Sequence, residues 1–319
     1  MRAEDIKKVV VVGAGTMGYG IAQNFAEAGL DVRVVARHQE SLDKCLSQIE
    51  ANLRVALEFG LSPEELTSIK SRIKPVLAKD LANATKDCDF VVETISEVLE
   101  PKRELFAQLD SLPQDVILGS NTGSITISRL AEGMSKPERV VGMHYFNPAH
   151  IVPLVEIHRG SHTSEQVIET TSEFMIRVGK KPVLVRKEVP GFIVNRMTGA
   201  LMREIYYLLG EGIATPEDID TAVKEVYGLR FACFGPMEME DMVGLDIVAK
   251  ASGNVFKTLS NSTESPSVVL EKVERGELGI KAGKGWYDYS GKTTEEVLVE
   301  RGRKLLAVFN MLQKERGRK

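Results

Sequence analysis

Lys8-Val9-Val10-Val11-Val12-Gly13-Ala14-Gly15-Thr16-Met17-Gly18-Tyr19-Gly20 is the stretch that decides the fold. An apolar run of strand type passes straight into Gly-x-Gly-x-x-Gly, and Ile21 to Ala28 then reads as a helix. In such a strand–turn–helix the first glycine allows the tight turn and the second admits a pyrophosphate to bare backbone. The third lets the helix pack close to the strand. The anion would rest on the free N–H groups and positive dipole end of that helix. Gly13, Gly15, Thr16, Met17 and Gly18 are therefore the expected dinucleotide cradle; the bland alternative is a βα turn that binds nothing.

Working outward, strands and helices alternate. Val9–Val12, Val32–Ala36, Lys74–Leu77, Phe90–Glu93, Val116–Gly119 and Val140–Met143 read as strands. Leu154–Ile157 and Pro182–Val185 form a later pair around a helix at Thr163–Val178. Helical segments cover about Gln39 to Gly60, then a start at Ser62-Pro63-Glu64-Glu65, then Pro101–Leu109 and Ser128–Glu132. This is the pattern of a doubly wound parallel sheet. From Gly191 onward only helical periodicity remains, with Ile193, Met197, Leu201, Ile205 and Leu208 on one face. Thr215-Pro216-Glu217-Asp218 is a further helix start, and helices are expected over Pro236–Leu259, Pro266–Arg275 and the tail Thr294–Lys319. The expected class is α/β, with a doubly wound domain at residues 1–187 and an all-helical domain at 188–319. The last six residues read as a basic, frayed end.

The 319 residues allow two domains, and 43% hydrophobic with 27% charged residues is ordinary for a globular protein. A net charge of −4 gives no reason to expect nucleic acid or an anionic membrane surface as partner. Cys45, Cys88 and Cys233 lack metal or disulfide spacing and read as small buried hydrophobes, with no metal site implied. Without a signal-like start or a membrane-length apolar run, the expected compartment is the cytoplasm.

Two features bear on the cofactor and the chemistry. At the end of the second strand, where an acid would hold the adenosine ribose of NAD, the chain has Ala36 followed by Arg37. A missing acid and a nearby guanidinium favour NADP over NAD, against the alternative that Arg37 merely covers the adenine. Further on, Ser120-Asn121-Thr122-Gly123-Ser124 and His144-Tyr145-Phe146-Asn147-Pro148 each follow an apolar strand, at the sheet edge where ligands bind. Glu156 stands inside the apolar run Val152–Ile157, where a carboxylate needs a partner. His144 is the expected partner, and a histidine near pKa 6.5 suits a base for alcohol oxidation. Ser124 could hold the hydroxyl, and Asn195 in Pro190–Arg196 could reach the site. Against this, a lone histidine is often structural and Ser124 could only cap a helix.

On these segments, together with Gly235-Pro236-Met237-Glu238, Asp241 to Asp246 and Gly283-Lys284-Gly285-Trp286-Tyr287, the chain resembles the 3-hydroxyacyl-CoA dehydrogenase family. The resemblance runs in order and spacing to about Tyr289. It implies an N-terminal Rossmann-type domain, a helical C-terminal domain that mediates a homodimer, and a site in the cleft between them. It implies His144 as acid/base, Glu156 as its partner, Ser124 on the substrate hydroxyl and Asn195 in positioning. Glu97 and Lys102 match positions near the nicotinamide, and about Gln39 to Ser71 matches the excursion that contacts coenzyme A. The chain departs from the family at Ala36, at Gly123 where a second serine is frequent, and at Glu100-Pro101. Few basic residues in the excursion stand ready for a 3′-phosphate, and Asn147–Leu154 also suits relatives acting on gulonate, carnitine or pyridine alcohols. The leading expectation is thus reversible oxidation of a 3-hydroxyacyl-CoA, most simply 3-hydroxybutyryl-CoA, with NAD or NADP. A dehydrogenase of a small substrate without coenzyme A comes second. A non-catalytic redox sensor comes third, since binding alone requires none of Ser124, His144, Glu156 and Asn195.

Overall fold

The structure, a computed structural model, describes residues 1–317. Contacts divide the chain into two units: Met1–Asn195 with Val299–Asn310, and Arg196–Leu298 with the residues from Met311 on. The tail of the sequence-expected basic end lies outside the described residues.

The first unit holds an eight-stranded sheet: β1 (Lys8–Val12), β2 (Asp31–Ala36), β3 (Ile73–Leu77), β4 (Phe90–Glu93), β5 (Ile117–Ser120), β6 (Val140–Tyr145), β7 (Leu154–Arg159) and β8 (Lys181–Val185). Their order is β3-β2-β1-β4-β5-β6-β7-β8. The chain thus turns back on itself between β1 and β4, which puts a ligand crevice at the carboxyl ends of these strands. Helices α1 (Gly18–Glu27), α2 (Gln39–Leu57), α3 (Pro63–Ser71), α4 (Leu81–Thr85), α5 (Leu99–Leu109), α6 (Ile127–Leu130) and α7 (Glu165–Arg177) supply the connections.

The inner strands β1, β4, β5 and β6 are buried almost throughout because both sheet faces are covered there, whereas the edge strands β3 and β8 are partly exposed. On one face Phe25, Phe90 and Phe174 pack ring to ring, with centroids 5.5 Å apart for Phe25–Phe174 and 5.2 Å for Phe90–Phe174. On the other, Leu105, Phe106 and Leu109 of α5 join Ile127 and Leu130 of α6 over Val10, Val91 and Leu118. The start of α3 is a reciprocal cap: Ser62 Oγ accepts the Glu65 N–H at 3.1 Å, and the Glu65 carboxylate accepts the Ser62 N–H at 2.8 Å.

One pairing is not parallel. β7 runs antiparallel to β6, while β8 is parallel to β7. Only Phe146–Pro153 connects β6 to β7, and a parallel crossover needs a dozen residues or more. The antiparallel register sets His144 directly opposite Glu156.

The second unit is helical, as the periodicity after Gly191 requires. It holds α8 (Val194–Gly210) after its first two residues, α9 (Pro216–Ala222), a π-helical stretch at Val223–Gly228, α10 (Leu229–Cys233), α11 (Pro236–Val243), α12 (Leu245–Val255) and α13 (Ser267–Glu274). The two ends of α14 (Thr294–Arg316) also belong to it, while the middle of that helix joins the first unit. Among the described residues of this unit only Gly285 is buried. Cys45 and Cys88 are buried, and burial pushes both thiols up to about 12. Cys233 is exposed, contrary to its reading as a buried hydrophobe, because the short helix α10 has no buried face.

Candidate active site

The glycine turn forms the floor of a cleft of about 540 Å³ at the carboxyl ends of the strands. Gly13 has φ +119°, and a Cβ there would meet Thr94 Oγ1 at 2.5 Å. A Cβ on Gly18 would meet the Gly13 carbonyl oxygen at 1.9 Å, so strand and helix pack at backbone distance. A Cβ on Gly15 would meet nothing within 4 Å. The open side of the turn is therefore Gly15 and Thr16, both exposed and both lining the cleft with Met17. Bare backbone with free N–H groups at the start of α1 fits a dinucleotide pyrophosphate. Ala36, the last residue of β2, is buried, and Arg37 just past it is exposed.

Across the cleft stand Asn121, Gly123, Ser124, His144 and Asn195. His144 Nδ1 lies 2.7 Å from Glu156 Oε2. The other carboxylate oxygen accepts the N–H groups of Ile193 and Val194, at 2.9 and 2.8 Å. Burial works to raise the Glu156 carboxyl, but the His144 bond and these two backbone donors outweigh it and hold the group below its ordinary value. A buried carboxylate is costly unless compensated, and here three donors compensate it. With Glu156 anionic, the neutral imidazole carries its proton on Nδ1, which leaves Nε2 bare beside Gly123. The rings of Phe146 and Phe192 flank the imidazole, with centroids at 4.4 and 5.9 Å.

Asn195 donates to the Gly123 carbonyl at 3.2 Å. Residues 188–195 stay with the first unit for a physical reason: the chain here is tied to β7 through Glu156. Ser124 lines the cleft, but its hydroxyl bonds to Glu97 at 2.9 Å. Glu97 Oε1 also accepts from Thr122 Oγ1 at 2.6 Å and from the Gly123 and Ser124 N–H groups at 2.9 Å. Burial would raise the Glu97 carboxyl; the Thr122 bond, the Lys102 charge and the Ser124 bond bring it down to about 2. Lys102 does not line the cleft. It is fully buried and pairs with Glu93 at 2.7 Å and with Glu97 at 3.1 Å, so it reaches the site through Glu97.

Glu93 is a site residue that the sequence reading misses, although an acid ending the run Phe90-Val91-Val92 carries the same signal as Glu156. It is fully buried and accepts from Ser120 Oγ at 2.6 Å and from Ile95 N at 2.7 Å, besides Lys102. Asn121 is also structural in part: its side-chain oxygen accepts the Tyr145 N–H at 2.8 Å, tying β5 to β6 beside the histidine.

The excursion Gln39–Ser71 is acidic, with six carboxylates against three basic side chains. All three are paired inside the segment: Lys44 with Glu40 at 2.8 Å, Arg54 with Glu50 at 2.8 Å and Lys70 with Glu50 at 2.7 Å. Just past the end of α2, Glu58 is gripped by Arg303 of α14 through two bonds of 2.6 and 2.7 Å. Two residues earlier on α14, Arg301 donates to Asn147 at 3.3 Å.

Comparison with known proteins agrees with this layout. The NAD-binding domain model of 3-hydroxyacyl-CoA dehydrogenase matches residues 8–189, and that enzyme's C-terminal domain model matches residues 191–289. The chain is 35% identical, over 97% of its length and 99% of the relative's, to 5-formyl-3-hydroxy-2-methylpyridine 4-carboxylate 5-dehydrogenase of Mesorhizobium japonicum. A crystal structure of that dehydrogenase, described as an NAD+-dependent dismutase, superposes with a TM-score of 0.89 at 35% identity, covering 97% of this chain and 99% of that one. The 3-hydroxybutyryl-CoA dehydrogenase of Bradyrhizobium diazoefficiens is 38% identical over 90% of this chain and 96% of its own. The crystal structure of the Ralstonia eutropha (S)-3-hydroxybutyryl-CoA dehydrogenase gives a TM-score of 0.70 at 36% identity, over 89% and 99% of the two chains.

Proposed function

The chain belongs to the 3-hydroxyacyl-CoA dehydrogenase family and is an oxidoreductase by that membership, and from this premise we propose that His144, braced by Glu156, moves the hydroxyl proton of a small substrate that carries no coenzyme A. The 2.7 Å contact between His144 Nδ1 and Glu156 carries the chemistry. In oxidation Nε2 takes the proton from the alcohol oxygen, and Glu156 stabilises the imidazolium. In reduction the same nitrogen returns it. Asn195, whose amide donates to the Gly123 carbonyl, helps hold substrate and site in register, while Ser124, held by Glu97, helps shape the polar wall. Gly13, Gly15, Thr16, Met17 and Gly18 would hold the dinucleotide, with Arg37 toward its adenosine end and Glu97, set by Lys102, toward the nicotinamide. The chemistry that bound NAD would supply is a hydride acceptor in oxidation and, as NADH, a hydride donor in reduction.

NAD is the cofactor this reading adopts. The matched domain is an NAD-binding one, and the pyridine-carboxylate dehydrogenase of the similar crystal structure is described as NAD+-dependent. Arg37 then covers the adenine rather than a 2′-phosphate.

What favours a substrate without coenzyme A is the excursion. A nucleotide 3′-phosphate would meet six carboxylates and three cations that are already paired. The backbone also follows the pyridine dehydrogenase far more closely than the Ralstonia enzyme. The 3-hydroxyacyl-CoA reading, the leading expectation from the sequence, moves to second place, supported by the 38% identity to the Bradyrhizobium enzyme. Rates with acetoacetyl-CoA, free acetoacetate and 5-formyl-3-hydroxy-2-methylpyridine 4-carboxylate, each with NAD(H) and NADP(H), decide between them. The expected result is a kcat/KM for a free acid at least tenfold above that for the thioester, with NAD(H) preferred. A preference for acetoacetyl-CoA overturns the first reading, and a preference for NADPH restores the role of Arg37 in selecting NADP. We also propose that the protein works as a homodimer through its second unit.

A further inference from the structure

Resting on the dyad of the proposed reaction, the geometry points to His158 as a positioning residue: its buried ring is the platform that keeps Phe192 in a left-handed backbone conformation, and that conformation turns the Ile193 and Val194 N–H groups onto Glu156. The register of β6 and β7 sets Gly142 opposite His158, two positions along from His144 opposite Glu156 and on the same sheet face. A Cβ on Gly142 would fall 1.8 Å from His158 Cε1 and 2.0 Å from its Nδ1. Gly142 has no positive φ, so what glycine supplies in this strand is room for the imidazole against the backbone. The same imidazole stacks on the Phe192 ring, with centroids 3.8 Å apart and planes 23° from parallel. Both side chains are buried, and the Phe192 ring centroid lies 5.9 Å from that of His144.

Phe192 has φ +49° and is, among the described residues, the one residue other than glycine with a positive φ. That region is unfavourable for a bulky side chain and persists only where the surroundings fix it. The Phe192 N–H donates to the Val189 carbonyl at 3.2 Å, which closes the turn, and the stack on His158 fixes the ring. A return to negative φ would swing the next peptides and take their N–H groups off Glu156 Oε1. His158 itself offers no polar contact: neither ring nitrogen has a hydrogen-bond partner among the described residues. Burial pushes the ring down to about 3, and the neighbouring His144 acts in the same direction, against Glu156 and Glu97. His158 is therefore uncharged at neutral pH and acts by shape, as a flat ring in the space that Gly142 leaves.

Amide exchange tests this without substrate. His158→Ala removes the platform, and the Ile193 and Val194 amides are expected to exchange roughly tenfold faster, or more, relative to those of Val10 and Val11 in β1. A general loss of stability would speed both sets alike. His158→Phe keeps a flat ring and should return the ratio to within about threefold of the wild type. Where His158→Ala does not fold, His158→Leu, with bulk but no flat ring, takes its place. The second measurement is the alkaline limb of kcat/KM for NADH-dependent reduction of whichever carbonyl probe above reacts fastest, since His144 must there carry its proton. A Glu156 stripped of two donors holds the imidazolium proton harder. The limb should therefore rise by about half a pH unit or more in His158→Ala and return in His158→Phe. An exchange ratio that does not change, a change that His158→Phe does not reverse, or a limb that does not rise overturns the proposal. Turnover of none of the probes removes the dehydrogenase reading, and the exchange ratio then decides the role of His158 alone.

Discussion

His144 is placed by two decisions of the backbone: the antiparallel turn into β7, which sets it opposite Glu156, and the return of the chain at Ile193, which supplies that carboxylate with further donors. The imidazole is the one group at the cleft with both an anionic brace and a bare nitrogen. His144→Gln is therefore expected to lower kcat by roughly 10² to 10⁴, the span of general acid–base catalysis, while NADH binds as before by fluorescence titration. Activity within threefold of the wild type would remove the assigned base. Glu97 allows a test by pH. Its folded carboxyl sits at about 2, below the ordinary 4.5, so the folded state binds fewer protons than the unfolded chain between those values. The stabilisation is complete above about pH 4.5 and drains away as the pH falls toward 2. Glu97→Gln lacks that proton, and its urea midpoint should change less with pH than the wild type's across this window. An identical acid limb in the two proteins would show that Glu97 contributes nothing there.

At the scale of elements, the joint between β7 and the first turn of α8 is the weak link to probe. Glu156 accepts two N–H bonds, and bonds to a charged acceptor are worth about 1.5–3 kcal/mol each. Glu156→Ala should thus speed amide exchange at Ile193 and Val194 by tenfold or more, whereas His144→Ala, which keeps the carboxylate, should not. Equal acceleration in both would mean that this turn is held by the histidine instead. Much at this scale is legible in the chain: Val9–Val12 with the glycine turn, and the caps at Ser62 and Thr215, mark their elements because the signal and the structure are both local. An apolar strand carries no sign of its direction, so β7 becomes antiparallel only through the short connection before it. The network of Glu93, Lys102, Glu97 and Ser120 joins four segments and leaves only single polar letters in apolar or helical runs. The grip of Arg303 on Glu58 spans most of the chain and cannot be read from either end.

For the whole molecule, the second unit poses a thermodynamic problem that one chain does not solve. Burial of apolar surface, at about 25 cal/mol per Å², is the main favourable term in folding. Yet Leu229 is 68% exposed, Met237 65%, Leu245 61% and Phe256 70%. Apolar faces of this extent mark interaction surfaces, and obligate homodimer interfaces resemble a core cut in half. In the proposed homodimer a second copy of the chain would supply the matching apolar surface, and an isologous interface would double each contact. Sedimentation equilibrium is expected to give twice the chain mass at micromolar concentration. Leu245→Glu places a charge on this surface, and should lower the mass toward one chain or drop the melting temperature in a concentration-dependent way. The first unit buries its own core and should keep binding NADH in that variant. A wild type that sediments as a single chain, with a melting temperature independent of concentration, would show that these helices are stable as exposed as they are, and the proposed dimer would fall.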